Sequence, residues 1–264
     1  MFRNALALAL LSAASLSPEL AHASHATAQP APTVVLVHGA FADASSWSKV
    51  VPVLESWGTT VVTVQLPLTS LADDAEATRR AIAAAPGKVV LVGHSWGGTV
   101  ITEAGVDDKV SSLVYVAAFA PDVGEATGQQ GKPYPVPPGL AGLQERNGLL
   151  WLSQDGAHMD FAQDLSVTGA RRVFDTQLPI RASAFAEPVQ HAAWKTKPSW
   201  YVVTRQDRMI APQLQTATAR RIDAQIVSLA TSHVPMLSRP NDVAYTILEA
   251  AGVKQKDAEP HEGG

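Results

Sequence analysis

The sequence predicts an α/β fold: a mostly parallel sheet flanked by helices, with one inserted helical lid. Three observations carry that prediction. From Thr33 onward, short β-branched runs alternate with longer helix-like stretches, the rhythm of strands joined by crossover helices. The runs are apolar throughout instead of alternating, as strands covered on both faces are. The chain has 264 residues, 46% hydrophobic and 17% charged, which suits one folded domain carrying an insertion.

The elements follow in order. Residues 33–37 read as the first strand, 46–57 as a helix stopped by Gly58, and 60–64 as the second strand. Ser70 is placed to cap a helix over 71–84, which leads to a strand over 88–92 and directly to a helix over 96–104. A strand over 113–117 comes next, and then the rhythm fails. Between about 122 and 197 the chain runs through Gly124, Gly128, Gly131 and the Pro-rich stretch from Pro133 to Gly139 before aromatic-bearing patches appear. A structureless loop of that length does not suit a compact domain, so a small lid with its own helices is expected. The rhythm resumes with a strand over 200–204, a helix over 212–221, a strand over 224–229 and a last helix over 241–251, capped by Asn241 and stopped by Gly252.

Both ends read differently from the domain between them, 29–252. Arg3, the uncharged apolar stretch 5–16 and the small-x-small triplets ending at Ala23 and Ala28 form a signal peptide over 1–28, cleaved after Ala23 or Ala28. The competing reading is a buried N-terminal helix, but Pro18, Pro30 and Pro32 disfavour it. Export to the periplasm or beyond is therefore expected. The charged, Gly-ended tail 253–264 reads as disordered.

Composition narrows the chemistry. A formal charge of −4 without any basic run disfavours nucleic acid and, once the leader is gone, an anionic membrane surface. No cysteine occurs, which removes thiolate nucleophiles, Cys-ligated zinc, iron–sulfur clusters and disulfides. Chemistry must come from Ser, His and carboxylates, and no metal or organic cofactor is expected.

Gly93-His94-Ser95-Trp96-Gly97 fits G-x-S-x-G, and its context makes it specific: it follows a predicted strand and opens a predicted helix. A serine on so sharp a turn needs very small neighbours two residues away on each side, and Gly93 and Gly97 supply them. Its hydroxyl needs a base. Of eight histidines, His22 and His25 fall in the leader, His261 in the tail, His158 and His191 in the lid, and His94 points elsewhere on the turn. His38 reads as a structural hydrogen-bonding residue. His233, in the loop after the last strand, is the expected base, and Asp207, just past the strand over 200–204, the expected orienting carboxylate. The order Ser, Asp, His results; Asp122 is the reserve carboxylate, and the plain alternative for Asp207 is a turn residue paired with Arg205 or Arg208. The backbone N–H groups of Ala40 and Trp96 are expected to hold an oxyanion, with Phe41 as the alternative donor. Phe41, Phe119, Trp151 and Trp194 are candidate pocket walls.

Together these residues resemble the α/β-hydrolase superfamily from about Thr33 to Gly252. More narrowly, Val34-Val35-Leu36-Val37-His38-Gly39-Ala40-Phe41 with Ser46-Trp47, and Gln65-Leu66-Pro67-Leu68-Thr69-Ser70-Leu71-Ala72-Asp73-Asp74, look like a group of bacterial esterases similar to the plant methylesterase and hydroxynitrile lyase family. The resemblance implies hydrolysis of small-molecule carboxylic esters with no metal or organic cofactor; the expected mechanism runs through an acyl-enzyme, and a homodimer is the candidate assembly. The lyase branch carries Thr after the first-strand His and Lys after the catalytic His; Gly39 and Val234 stand there in this chain, on the esterase side. Ser232 departs from the acidic residue common in the plant family. The alternatives are a hydroxynitrile lyase-like C–C lyase, a cofactor-free haloperoxidase or perhydrolase on the same triad, and a non-catalytic small-ligand binder.

Overall fold

Six parallel strands form the sheet at the centre of the computed structural model, which describes residues 32–253. They are β1 (Thr33–Val37), β2 (Val61–Val64), β3 (Val89–His94), β4 (Val110–Val116), β8 (Ser199–Thr204) and β9 (Gln225–Leu229), in the order β2-β1-β3-β4-β8-β9. The register pairs Leu36 with Thr63 and Val92, Val114 with Trp200, and Val202 with Val227. Every residue of β1, β3 and β8 is buried, which is why these segments carry no polar alternation.

Helices cover both faces: α1 (Val51–Ser56), α2 (Leu71–Ala84), α3 (Trp96–Ala104), α7 (Pro212–Arg221), the short α8 (Pro235–Ser238) and α9 (Pro240–Ala250). The expected bounds of α2, α3 and α7 match those observed. The expected helix over 46–57 is instead a 3-10 turn at Ala44–Trp47 followed by α1. Pro52 is the reason: it has no N–H to donate, and its ring would strike the carbonyl of Ser48 in a continuous helix, so a fresh helix begins with Pro52 in its first turn. Asn241 does not cap α9, because the helix already starts at Pro240, where a missing N–H costs nothing. Gly58 and Gly252, at φ +77° and +65°, reverse the chain after α1 and α9.

Between β4 and β8 the chain leaves the sheet. The expected helical lid is a mixed structure: α4 (Thr127–Gln130), a three-stranded antiparallel sheet of β5 (Leu143–Arg146), β6 (Leu149–Leu152) and β7 (Ile180–Arg181), then α5 (Gln154–Gly156), a π-helical turn at Ala157–Phe161 and α6 (Val167–Thr176). Asn147-Gly148, both at positive φ, make the two-residue turn that joins β5 to β6. No described helix is long and apolar enough to cross a membrane. The expected leader, and the tail beyond residue 253, lie outside the described residues.

Candidate active site

The carboxyl edge of a parallel sheet collects the loops that follow its strands, and every residue expected to act leaves from that edge. Ser95 follows β3 directly. It sits at φ 52° and ψ −118°, a conformation that costs an L-residue about 1–3 kcal/mol. The turn is possible because the chain beside it has no side chains. A Cβ on Gly97 would lie 2.6 Å from the Val37 carbonyl oxygen and 2.7 Å from that of His38; one on Gly93 would lie 2.8 Å from the Gly98 nitrogen. Trp96 is the first residue of α3, directly after Ser95, so its N–H has no acceptor within the helix. Ala40 and Phe41, in the turn after β1, line one cavity with Ser95, and Phe41 is itself at φ 58°.

Behind the serine stands an imidazole. His233, 1% exposed, lines the cavity with Ser95, and its Nδ1 lies 2.7 Å from Asp207 Oδ2. Four further donors fix the carboxylate. Oδ1 accepts from the Met209 and Ile210 amides at 2.7 and 2.9 Å, and Oδ2 accepts from Thr204 Oγ1 at 2.9 Å and Gln215 Nε2 at 2.7 Å. A buried carboxylate so fully bonded is held in one orientation. It can hold one imidazole tautomer, Nδ1–H toward itself, leaving Nε2 with a lone pair. The structure thus brings Ser95, His233, Asp207, Ala40, Phe41 and Trp96 together at one edge. The alternative partners of Asp207 are elsewhere: Arg208 bonds Asp160 at 2.6 Å. The reserve carboxylate Asp122 pairs with Lys195 on the surface.

Two other buried histidines are held neutral. Burial pulls the His38 pKa down, against smaller opposing effects of the Gly39 carbonyl and Asp43. Its Nε2 accepts from the Leu66 amide at 3.0 Å, so Nδ1 carries the proton toward Gly39 O at 2.8 Å. His94 lies well below the ordinary histidine range because of its burial, reinforced by the nearby His233. Its Nε2 donates to the His233 carbonyl at 2.8 Å, and the two ring centroids are 4.8 Å apart. A neutral His94 braces the loop carrying His233 without adding charge beside it.

The cavity measures about 220 Å³ and is mostly apolar. Phe41 and Phe119 line it as expected; Trp151 and Trp194 do not. In β6 successive side chains alternate faces: Leu150 points into the cavity, so Trp151 points away, into a separate recess beside Phe174 and Gln177. Trp194 is a brace, its Nε1 donating to Pro121 O at 3.0 Å and its ring lying under the Lys195 and Arg221 cations. The walls missed in the sequence are Tyr134, Leu143, Phe161, Phe185, Met209 and Ile210. The Asn-Gly pair at 147–148 would have revealed the hairpin and, through its alternation, Leu150. Among the described residues no group of three or more His, Asp or Glu is placed to hold a metal ion.

Residues 34–244 match the sequence model of the alpha/beta hydrolase family. The chain belongs to that family. It is 27% identical over 248 residues to a probable hydrolase, R7, from a Phoma species, covering 84% of this chain and 99% of that protein. A pyrethroid hydrolase from Sphingobium faniae superposes with a TM-score of 0.75 at 22% identity, over 84% of this chain and 97% of its own. An Arabidopsis methylesterase does so with a TM-score of 0.70 at 21% identity, over 84% and 100%. These hydrolase and esterase relatives support an enzyme of the hydrolase class.

Proposed function

We propose that the protein is a serine carboxylesterase working through Ser95, His233 and Asp207. The observation that carries this reading is the strained Ser95 turn at a helix N-terminus, opening into one cavity with an imidazole whose Nδ1 is anchored on a five-fold bonded carboxylate. His233 Nε2 takes the Ser95 proton as Oγ adds to the ester carbonyl. The oxyanion rests on the backbone N–H of Trp96 and that of Ala40, with Phe41 the alternative. Collapse breaks the C–O bond and the imidazolium returns its proton to the departing alkoxide. Water, deprotonated by the same imidazole, then adds to the acyl carbonyl; the bond to Ser95 Oγ breaks, the imidazolium returns its proton to Oγ, and the acid leaves. The names of the neighbours, a pyrethroid hydrolase and a methylesterase, support carboxylic esters as the substrate class, and the small apolar cavity supports a short or medium acyl chain or a single aryl ring. The leader-like N-terminus supports work outside the cytoplasm.

The test is Ser95→Ala assayed on a panel of p-nitrophenyl esters. Turnover is expected to fall by about three or more powers of ten, and fluorophosphonate labelling to vanish. Ester turnover retained in that variant would overturn the assignment; a folded wild-type protein that neither labels nor turns over esters would indicate a small-ligand binder.

A further inference from the structure

A second cavity, about 730 Å³, opens on the far side of Phe41 and Phe161, which also line the catalytic one. Its chemistry is different. Hydroxyls from the turn at Ala44–Trp47 and from α6 line it together with Lys49 and Arg172. Two observations bear on what it takes.

The first is position. Val234, next to His233, lines this cavity, and the Phe161 ring lies 5.0 Å from the His233 ring. In acyl transfer the imidazolium protonates the departing alkoxide, so the alcohol portion of an ester lies on the imidazole side. The second is charge. The lining carboxylate, Asp43, is occupied by the Ser45 amide and hydroxyl at 2.9 and 2.5 Å. Lys49 donates one of its protons to Leu237 O at 2.7 Å, and Arg172 makes no ion pair among the described residues, whereas Arg171 beside it is bound to Asp175. The lining therefore sets two cations against one carboxylate, a net positive charge of one.

We infer that this cavity is the leaving-group subsite, and that it selects esters whose alcohol carries a carboxylate at its far end. The inference rests on the esterase reading. The apolar stem of the alcohol crosses between Phe41 and Phe161, both on irregular backbone, one at positive φ and one ending a π-helical turn. Arg172 and Lys49 meet the carboxylate.

The test compares two butanoate esters, propyl and 3-carboxypropyl, by butanoate release at low ionic strength. The wild-type protein is expected to favour the carboxylate ester by about ten-fold in kcat/KM, through KM. That ratio should fall to one or below in Arg172→Glu, fall part-way in Lys49→Gln, and shrink with added salt. Equal turnover of both esters by the wild-type protein, or a preference that survives Arg172→Glu, overturns the subsite while leaving the esterase reading intact. Turnover of neither ester overturns the esterase reading, and the leaving-group assignment with it.

Discussion

Asp74 sits in the first turn of α2 with no exposed surface, Oδ1 accepting from the Leu68 amide at 2.7 Å and Oδ2 from the Trp96 indole N–H at 2.8 Å. It thereby ties the helix that begins beside Ser95 to the loop after β2. Burial pushes its pKa from 3.8 up to about 6, the two hydrogen bonds opposing that rise and the neighbouring Asp73 and Glu187 adding to it. Because the folded protein holds this proton more tightly than the unfolded chain does, the group's stabilising contribution is complete below pH 3.8 and is lost as pH rises through 6. The size of the change is about 3 kcal/mol. The Trp96 indole resonance is expected to titrate with a midpoint near 6 and to stay flat in Asp74→Asn, and the same variant should remove that share of the pH slope from denaturant unfolding. The sequence marked Asp74 only as part of a family-like run. That its carboxylate reaches Trp96, 22 positions away, depends on how α2 and α3 pack, which no local pattern encodes.

At the scale of elements, the strongest local signals were those with their own chemistry. Ser70, extended at φ −161°, accepts from the Asp73 amide at 3.0 Å and starts α2 where its residue type implied. Ser70→Ala is expected to destabilise the protein by about 1 kcal/mol, read from chemical denaturation, with ester turnover retained. Pro52 and Pro240 were equally plain signals, and weighing the missing N–H of each would have moved the helix starts to where they lie. The inserted segment was least legible. Its β5-β6 hairpin is four residues a side, too short for apolar alternation to stand out against a Pro- and Gly-rich background. The misplacement of Trp151 followed from that, since its direction is set by the strand pleat.

For the molecule as a whole, the insertion acts only if it is pinned over the sheet edge, and Glu103 at the end of α3 pins it. Its carboxylate accepts from the Gln190 and His191 amides at 2.7 and 3.1 Å, from the His191 imidazole at 2.9 Å and from Arg79 at 3.3 Å. Burial alone would raise its pKa, but the hydrogen bonds from His191 and Gln190 outweigh it and hold the carboxyl below its ordinary value. A depressed carboxyl stabilises above its unfolded pKa and gives that up as pH falls, so acid should loosen this strap. Glu103→Ala leaves two amides unmatched and is expected to cost about 1–3 kcal/mol. Limited proteolysis should then cut near residue 190 sooner than in the wild-type chain, before the sheet unfolds.

The sequence by itself determined the order of the central strands and their flanking helices outside the insertion, the glycines that permit the Ser95 turn, and the positions of Ser95, Asp207 and His233 just past strand ends. Those features are local: a strand's apolar run, a proline's missing donor and a glycine's missing Cβ act within a few residues. Only the tertiary structure decided which walls enclose the cavity, that His94 braces the His233 loop, and that a charged second cavity shares Phe41 and Phe161 with the first. Such features depend on side chains far apart in the chain meeting at one distance and one angle, and packing of the whole core sets both.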